Sequence, residues 1–144
     1  MFYEIIVFTA SHSCYANVVL DYLDPQNAII KHRLYREHCI LNEDGLYIKD
    51  LRVINRDMKD MILVDNAFYS FAFQLNNGLP ILPFYYEKRD LELQDLTEFL
   101  KEIHSVHDIR DEIKKRFRME WWGKFEDPMN VVQSVFSDLL PYIR

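Results

Sequence analysis

The sequence predicts an α/β fold in which helices cover a mainly parallel β-sheet. Two short segments, residues 5–8 and 61–64, read Ile-Ile-Val-Phe and Met-Ile-Leu-Val. Because every position in them is apolar, we expect strands that are buried on both faces, as in a parallel sheet. The stretches between and after them place apolar residues three and four positions apart, which indicates helices.

The individual elements follow from these patterns and from turn residues. A helix is expected after the first strand, with Ser11 or Ser13 as its N-cap and Asp24-Pro25 at its end. Asp44-Gly45 predicts a hairpin turn. The predicted elements are strand 3–8, a helix with Tyr15, Val18, Val19, Tyr22 and Leu23 on one face, strand 29–35, hairpin 38–42 with 46–48, a polar helical segment 50–60, strand 61–65, strand 80–82, helix 90–103 with Leu93, Leu96, Leu100 and Ile103 on one face, and helix 108–118.

Composition limits the classes of protein to which the chain can belong. With 144 residues, 49% of them hydrophobic and only 3 of them glycine, it has the content of one globular domain and not of a disordered segment. A net charge of −6 disfavours a general nucleic-acid-binding surface. No apolar run approaches the roughly 20 residues of a membrane span. Cys14 and Cys39 lack zinc-site spacing, so we expect reduced thiols in an intracellular protein.

The chain changes character toward its last residues. We divide it into a domain at 1–118 and a helical tail at 119–144. Trp121-Trp122-Gly123 and Asp127-Pro128 separate a last amphipathic segment at 131–140 from the domain. The tail is predicted to be a helix packed on the domain, and a partner-binding segment is the alternative.

Polar side chains follow two of the predicted strands, at the end where ligands bind in open α/β sheets. Thr9 and Ser11, with the N-terminus of the next helix, offer hydroxyl and N–H groups to an anion. Asp65 and Asn66 carry oxygen ligands that suit Mg²⁺, and Lys49 could neutralise phosphate charge. Phosphoryl transfer needs this combination of charges. Each residue also has an ordinary use, since threonine caps helices, Asp-Asn forms turns and a single lysine is commonly solvated.

Five short sequence words occur in one order along the chain. They are Phe8-Thr9-Ala10-Ser11, Leu34-Tyr35-Arg36-Glu37-His38-Cys39, Tyr47-Ile48-Lys49-Asp50-Leu51, Asn55-Arg56-Asp57 and Val64-Asp65-Asn66. With them, residues 3–103 resemble the FCP1-homology domain of the haloacid-dehalogenase superfamily, the group of the small C-terminal-domain phosphatases and dullard. The resemblance implies a Rossmann-like haloacid-dehalogenase fold with a small β-hairpin insertion. It also implies a Mg²⁺-dependent protein serine/threonine phosphatase that acts on phosphoproteins or phosphopeptides.

The resemblance assigns expected roles to individual residues. Thr9 matches the second-motif residue that hydrogen-bonds the phosphoryl group, and Lys49 matches the third-motif lysine that balances its charge. Asn66 matches a direct Mg²⁺ ligand of the fourth motif, with Asp65 beside it. Arg36 matches an arginine near the bound phosphopeptide. The expected site consists of catalytic residues Thr9, Lys49 and Asp65, metal ligands Asn66 and Asp65, and substrate-binding residues Thr9, Ser11 and Arg36.

One part of the family pattern does not occur in the 144 residues. The family's first motif, Asp-x-Asp-x-Thr, supplies the aspartate nucleophile and the general acid/base from the central strand of the sheet. No such string occurs here. We therefore expect the chain as given not to turn over and to bind Mg²⁺ weakly. The sequence is then either the C-terminal part of a phosphatase whose N-terminus is missing from it, or a truncated gene product.

The missing motif also affects the sheet. The resemblance places the first-motif strand between the strands at 4–8 and 61–65. These two strands are therefore expected either to contact each other directly or to leave an open groove. The segment 131–140 has helical spacing and is not expected to fill that position. A partner could supply the missing strand.

A second function, from a different class, fits the same residues. The mitochondrial import receptor of the Tim50 type resembles the same domain, and a non-catalytic binding module needs no nucleophile. The presence of Thr9, Lys49 and Asp65-Asn66 favours phosphatase ancestry. We expect a nuclear or cytoplasmic location for a phosphatase and a mitochondrial location for the receptor type.

Overall fold

This computed structural model describes residues 2–117, which contain short strands, α-helices and 3-10 turns. The strands in that part are β1 (Ile5–Phe8), β2 (Ile30–Leu34), β3 (Ile40–Leu41), β4 (Tyr47–Ile48), β5 (Leu63–Asp65) and β6 (Gly78–Pro80). The α-helices are α1 (Ser13–Leu23), α2 (Glu92–Ile103) and α3 (Ile109–Phe117). Short 3-10 turns lie at Arg36–His38, Leu51–Ile54, Met58–Asp60, Phe68–Phe71 and Leu75–Asn77. The predicted α/β class is confirmed, whereas the tail predicted at 119–144 lies outside the described residues.

The strands form separate pairs. β1 is parallel to β2 and β5 is parallel to β6, whereas β3 and β4 form the predicted antiparallel hairpin. Within residues 2–117 no backbone hydrogen bond joins β1 to β5. Each of these two strands therefore has one edge without a strand partner in the described structure. The predicted direct pairing of β1 with β5 is not found within residues 2–117, and the open groove that is the alternative stays a prediction. The segment 131–140 lies outside the described residues.

The largest hydrophobic cluster lies around β5, β6 and the two helices that follow them. Phe71 and Ile113 are at its centre, each with 0% exposure. On α3, Ile109, Ile113 and Phe117 recur four residues apart and are all buried, so they form one face of that helix. This cluster gives β5 and the turn after it a rigid support.

The apolar face of α1 is turned away from the described core. Ala16 and Leu20 are the buried positions of this helix. The apolar residues whose spacing predicts this helix are exposed, with exposed fractions from 39% at Val19 to 86% at Tyr22. The predicted helix is confirmed, but its apolar stripe has no cover within residues 2–117, because helical spacing does not specify which neighbour packs on a face.

The predicted face of α2 is also partly wrong. Leu96, Leu100 and Ile103 pack on the core, whereas Leu93 is 69% exposed. Leu93 lies in the first turn of α2, beyond the edge of the cluster. No helix in the described part of the chain combines the length and the apolar character needed to cross a membrane.

The strand predicted at 80–82 lies two residues earlier, as β6. Gly78 pairs with Leu63 of β5, and its backbone lies against the Phe71 ring because glycine has no side chain. The run Asn76-Asn77-Gly78 is typical of a turn, so the sequence predicts Gly78 as a turn residue. Packing against Phe71 makes it the first residue of the strand.

One further local prediction is wrong, and another is confirmed only in part. The N-cap of α1 is His12, not Ser11 or Ser13, and no side chain caps the helix. The segment 50–60 is helical only in part, as two 3-10 turns, with Asn55 between them in a left-handed conformation at φ 54°. A left-handed residue ends a helical turn.

Asp24 organises the connection from α1 to β2. Its carboxylate accepts hydrogen bonds from the backbone N–H groups of Ile30, Ile29 and Ala28, at 2.8–2.9 Å. These bonds, that of Ile30 most of all, hold the pKa of the Asp24 carboxyl below its ordinary value. The Asp24 carboxylate therefore holds the first residue of β2, Ile30, at the position where β2 pairs with β1.

Candidate functional site

A polar pocket of about 310 Å³ lies where β1 and β5 end. The loop after β1, the β3–β4 hairpin and the turn after β5 line it. The predicted site residues in its lining are Thr9, Ser11, Lys49, Asp65 and Asn66. These residues converge as the sequence predicts, although β1 and β5 belong to separate strand pairs within residues 2–117.

Thr9 presents a hydroxyl proton to this pocket. Its backbone N–H donates to the carbonyl of Leu34 at 2.9 Å, which extends the β1–β2 pairing by one residue. Its Oγ1 accepts a hydrogen bond from the Ser11 N–H at 3.1 Å. Because the oxygen acts as an acceptor within the loop, the proton of the Thr9 hydroxyl remains available for a ligand. The Ser11 N–H, in contrast, is already used inside the protein.

Lys49 and Asp65 form a buried ion pair at the base of the pocket. The Lys49 ammonium contacts Oδ2 of Asp65, and the two side chains are only 11% and 8% exposed. The main chain of Lys49 is fixed because its backbone N–H donates to the carbonyl of Ser70 at 2.8 Å. Charges in such a poorly hydrated place interact more strongly than they do in water.

The described lining of the pocket offers few oxygen ligands for Mg²⁺. Mg²⁺ binds through one or two carboxylates, with water and phosphate oxygens filling its other positions. Among the described lining residues Asp65 is the one carboxylate, and its Oδ1 accepts from the Ala67 N–H at 2.8 Å while its Oδ2 contacts Lys49. Asn66 is exposed. Residues 2–117 contain no group of three or more His, Cys, Asp or Glu side chains that could hold a metal. The residues present therefore do not by themselves fit Mg²⁺.

Arg36 lies behind the pocket wall. Its Nε donates to the carbonyl of Ala10 at 2.7 Å, its Nη1 donates to Nε2 of His12 at 2.9 Å, and its guanidinium lies 4.9 Å from the centre of the Tyr47 ring. Arg36 thus joins the loop after β1 to the hairpin. Its predicted contact with a phosphopeptide stays a prediction.

Cys39 lies behind Thr9. Its Sγ is 3.9 Å from the carbonyl oxygen of Thr9, and burial raises the pKa of the Cys39 thiol above its ordinary value. A raised pKa keeps the thiol protonated at neutral pH, so it is a poor nucleophile.

Sequence reasoning missed three lining residues that have polar side chains: Tyr47, Tyr69 and Ser70. Tyr47 follows the hairpin turn, and the other two lie in the 3-10 turn Phe68–Phe71. The aromatic run at 68–73 is visible in the sequence. Its spacing does not show which side chains of a 3-10 turn face a pocket.

Comparison with known proteins then decides the family. A model of the family described as NLI interacting factor-like phosphatase matches residues 1–110, which is most of the chain. The chain belongs to this family. The NLI interacting factor-like match contains all six predicted site residues, and it agrees with the resemblance on which the predicted roles rest.

Relatives of this NLI interacting factor-like domain carry phosphatase names in two of the following cases and a translocase name in the third. "CTD small phosphatase-like protein 2" of Dictyostelium discoideum is 44% identical over 117 residues, 81% of this chain and 20% of that protein. "CTD small phosphatase-like protein 3" of Caenorhabditis elegans is 43% identical over 118 residues, 81% of this chain and 41% of that protein. "Mitochondrial import inner membrane translocase subunit TIM50" of Candida glabrata is 32% identical over 139 residues, 94% of this chain and 28% of that protein. The chain therefore spans less than half the length of each of these relatives.

Proposed function

We propose that this chain is the phosphate-binding part of a protein serine/threonine phosphatase domain, and that residues 1–144 alone do not turn over. The observation that carries the proposal is the buried Lys49–Asp65 pair, which lines one pocket with Thr9 in a chain of a phosphatase family. Relatives named for CTD phosphatase activity support a phosphoprotein or phosphopeptide as the substrate.

The roles of the residues follow from their hydrogen bonds. The Thr9 hydroxyl donates its free proton to a phosphoryl oxygen. The Lys49 ammonium has three donors, and with one directed at Asp65 it offers the others to the same group. Asp65 fixes the direction of the ammonium. Donors and charges that are held in place before the ligand arrives stabilise phosphate charge without reorganising during a reaction.

The described pocket supports binding better than covalent chemistry. Its hydroxyl groups belong to Thr9, Ser11, Ser70 and two tyrosines, and no histidine lines it within residues 2–117. Both oxygens of Asp65 already have hydrogen-bonding partners. No serine or threonine in the described pocket therefore has a free general base beside it. Phosphatases of the haloacid-dehalogenase type generally depend on Mg²⁺, which neutralises phosphate charge. We propose Asn66 as one ligand of a Mg²⁺ site that further carboxylates must complete.

Phosphate binding without turnover is the result that we expect from the unaltered chain. Inorganic phosphate should bind in a calorimetric titration, and Thr9→Ala should weaken its binding about tenfold, because a hydrogen bond to a charged group is lost. Thr97→Ala is the matched control, since the Thr97 hydroxyl donates to the Leu93 carbonyl on α2, away from the pocket. With para-nitrophenyl phosphate and Mg²⁺, no product should form.

Two outcomes would contradict this proposal. If the Thr9→Ala variant and the unaltered chain bind phosphate with equal affinity, Thr9 does not contact the anion. Turnover that disappears in Asp65→Asn would show that the chain contains a nucleophile and that Asp65 serves as it.

We propose in addition that the open edges of β1 and β5 accept an extended strand. Each strand has a partner on one edge only within residues 2–117. An unpaired strand edge is a template for a further strand. The family resemblance places the first-motif strand, with its nucleophile, between these two edges. A strand bound there would end beside Thr9 and Lys49, where the nucleophile is needed.

Adding such a strand should stabilise the protein. A synthetic peptide with an apolar strand followed by Asp-x-Asp-x-Thr should raise the melting temperature. At a peptide concentration a hundred times its dissociation constant, the free energy of unfolding should increase by about 2.7 kcal/mol. The control is the same peptide with prolines at alternate positions, which cannot donate to a strand ladder. An unchanged melting curve, or an equal rise with the proline peptide, would show that the edges do not take this strand.

A non-catalytic binding module is the second candidate function. The match to the TIM50 protein over 94% of this chain favours it. This function predicts no phosphate binding that depends on Thr9. It also predicts a transit peptide and a membrane span upstream in the full transcript, where a phosphatase would carry Asp-x-Asp-x-Thr. A mitochondrial location would go with this function, and a nuclear or cytoplasmic location with the phosphatase.

A further inference from the structure

We infer that an exposed apolar face of α1 is the docking site for residues 131–140 of the same chain. This face, the α1 stripe, consists of Tyr15, Val18, Val19, Tyr22 and Leu23. These residues have exposed fractions from 39% to 86% within the described structure. None of them lines the phosphate pocket, so this contact is separate from the proposed function and does not depend on it.

The α1 stripe is a continuous patch and not a set of scattered side chains. Its positions recur three and four residues apart, which places them on one side of a helix. Ala16 and Leu20 are buried on the other side of α1, so the stripe faces away from the described core. Soluble proteins rarely leave so many large apolar side chains together in water, and such patches mark contact surfaces. The stripe therefore indicates a partner that residues 2–117 do not supply.

Residues 131–140 lie outside the described residues, and their sequence has the complementary pattern. Apolar side chains recur as neighbouring pairs every four residues, at Val131, Val132, Val135, Phe136, Leu139 and Leu140. The residues between these pairs are polar, so a helix over this segment would have one apolar side. At about 1.5 Å per residue it would be roughly 15 Å long, close to the length of α1. An isolated helix this short is marginally stable in water, so it needs an apolar surface on which to pack.

The connecting segment is long enough for the contact to form within one chain. The last described helix, α3, ends at Phe117. Residues 118–130, when extended at about 3.3 Å per residue, span roughly 43 Å. A domain of the described size has a radius of gyration of about 13 Å, so its whole surface lies within this reach. A tether gives an effective concentration on the order of millimolar, which favours this segment over a second copy of the chain as the occupant.

Thermal unfolding of the full 144-residue chain by calorimetry tests this contact through Tyr22→Gln, Phe136→Gln and the double variant. Glutamine forms helices better than tyrosine or phenylalanine does, so a loss of stability reports a lost contact and not a weaker helix. Each single variant should lower the melting temperature by about 5 °C. The double variant should lower it no further, because both substitutions remove the same contact. Tyr85→Gln is the matched control and should cause no change, since Tyr85 is 78% exposed and lies between β6 and α2.

Three other results would overturn the inference. An unchanged or higher melting temperature for Tyr22→Gln would show that the α1 stripe stays in water. No change for Phe136→Gln, or losses that add up in the double variant, would show that residues 131–140 do not pack on the stripe. A melting temperature that rises with protein concentration in the unaltered chain but not in Tyr22→Gln would make a second copy the occupant. Because the stripe lies outside the pocket, each of these results leaves the proposed function unaffected.

Discussion

Gly78→Ala is expected to destabilise the protein by about 3 kcal/mol or more, the upper part of the range for an overpacked core. A Cβ at this position would overlap the Phe71 ring, and even Cε2 of that ring would lie only 2.7 Å away. The ring cannot move aside easily, because Phe71 has 0% exposure in the largest hydrophobic cluster. Gly78 also pairs with Leu63 in the β5–β6 ladder, and this pairing restrains its backbone from moving away from the ring.

Urea unfolding measures this effect, with Gly45→Ala as the matched control. Gly45 has φ +80°, and a Cβ there meets nothing within 4 Å. Its substitution should cost about 1 kcal/mol through backbone strain alone. Combining Gly78→Ala with Phe71→Leu, which shortens the obstructing side chain, should recover part of the loss. Equal unfolding midpoints for the two glycine variants would refute the close approach of Gly78 to Phe71.

Lys49→Met is expected to cost about 3–5 kcal/mol of stability and to abolish phosphate binding. The variant leaves the Asp65 carboxylate, 8% exposed, without its cation, and breaking one side of a buried ion pair has a cost of this size. Phosphate binding is lost because the pocket then keeps a negative charge and no positive one. Urea unfolding and phosphate calorimetry measure the two effects separately.

The double variant Lys49→Met/Asp65→Asn distinguishes stability from function. It removes both charges, so most of the lost stability should return, whereas phosphate binding should not. Lys101→Met is the control, since Lys101 pairs with Glu98 on the exposed surface of α2 and exposed pairs contribute little. Phosphate binding by the double variant at the original affinity would show that Lys49 does not contact the anion.

The site could be predicted from the sequence because its residues lie next to strand ends. Thr9 follows β1 directly, and Asp65 ends β5. Open α/β sheets place ligand-binding residues at strand ends, and the pocket brings these residues together although β1 and β5 share no ladder within residues 2–117. Ser70 could not be predicted in this way, because a short 3-10 turn has no long periodic pattern from which the direction of its side chains follows.

The sequence by itself determined the class of fold, the order of most elements and the identity of the charged groups, because each depends on local spacing and on residue chemistry. Tertiary structure alone decided which faces are covered. It turned the apolar stripe of α1 outward, made Gly78 a strand residue through the Phe71 ring, and left β1 and β5 without a shared ladder. It also decided that Lys49 is neutralised by Asp65. Burial and pairing arise from contacts between segments far apart in sequence, and the spacing within one segment does not specify the segment that packs on it.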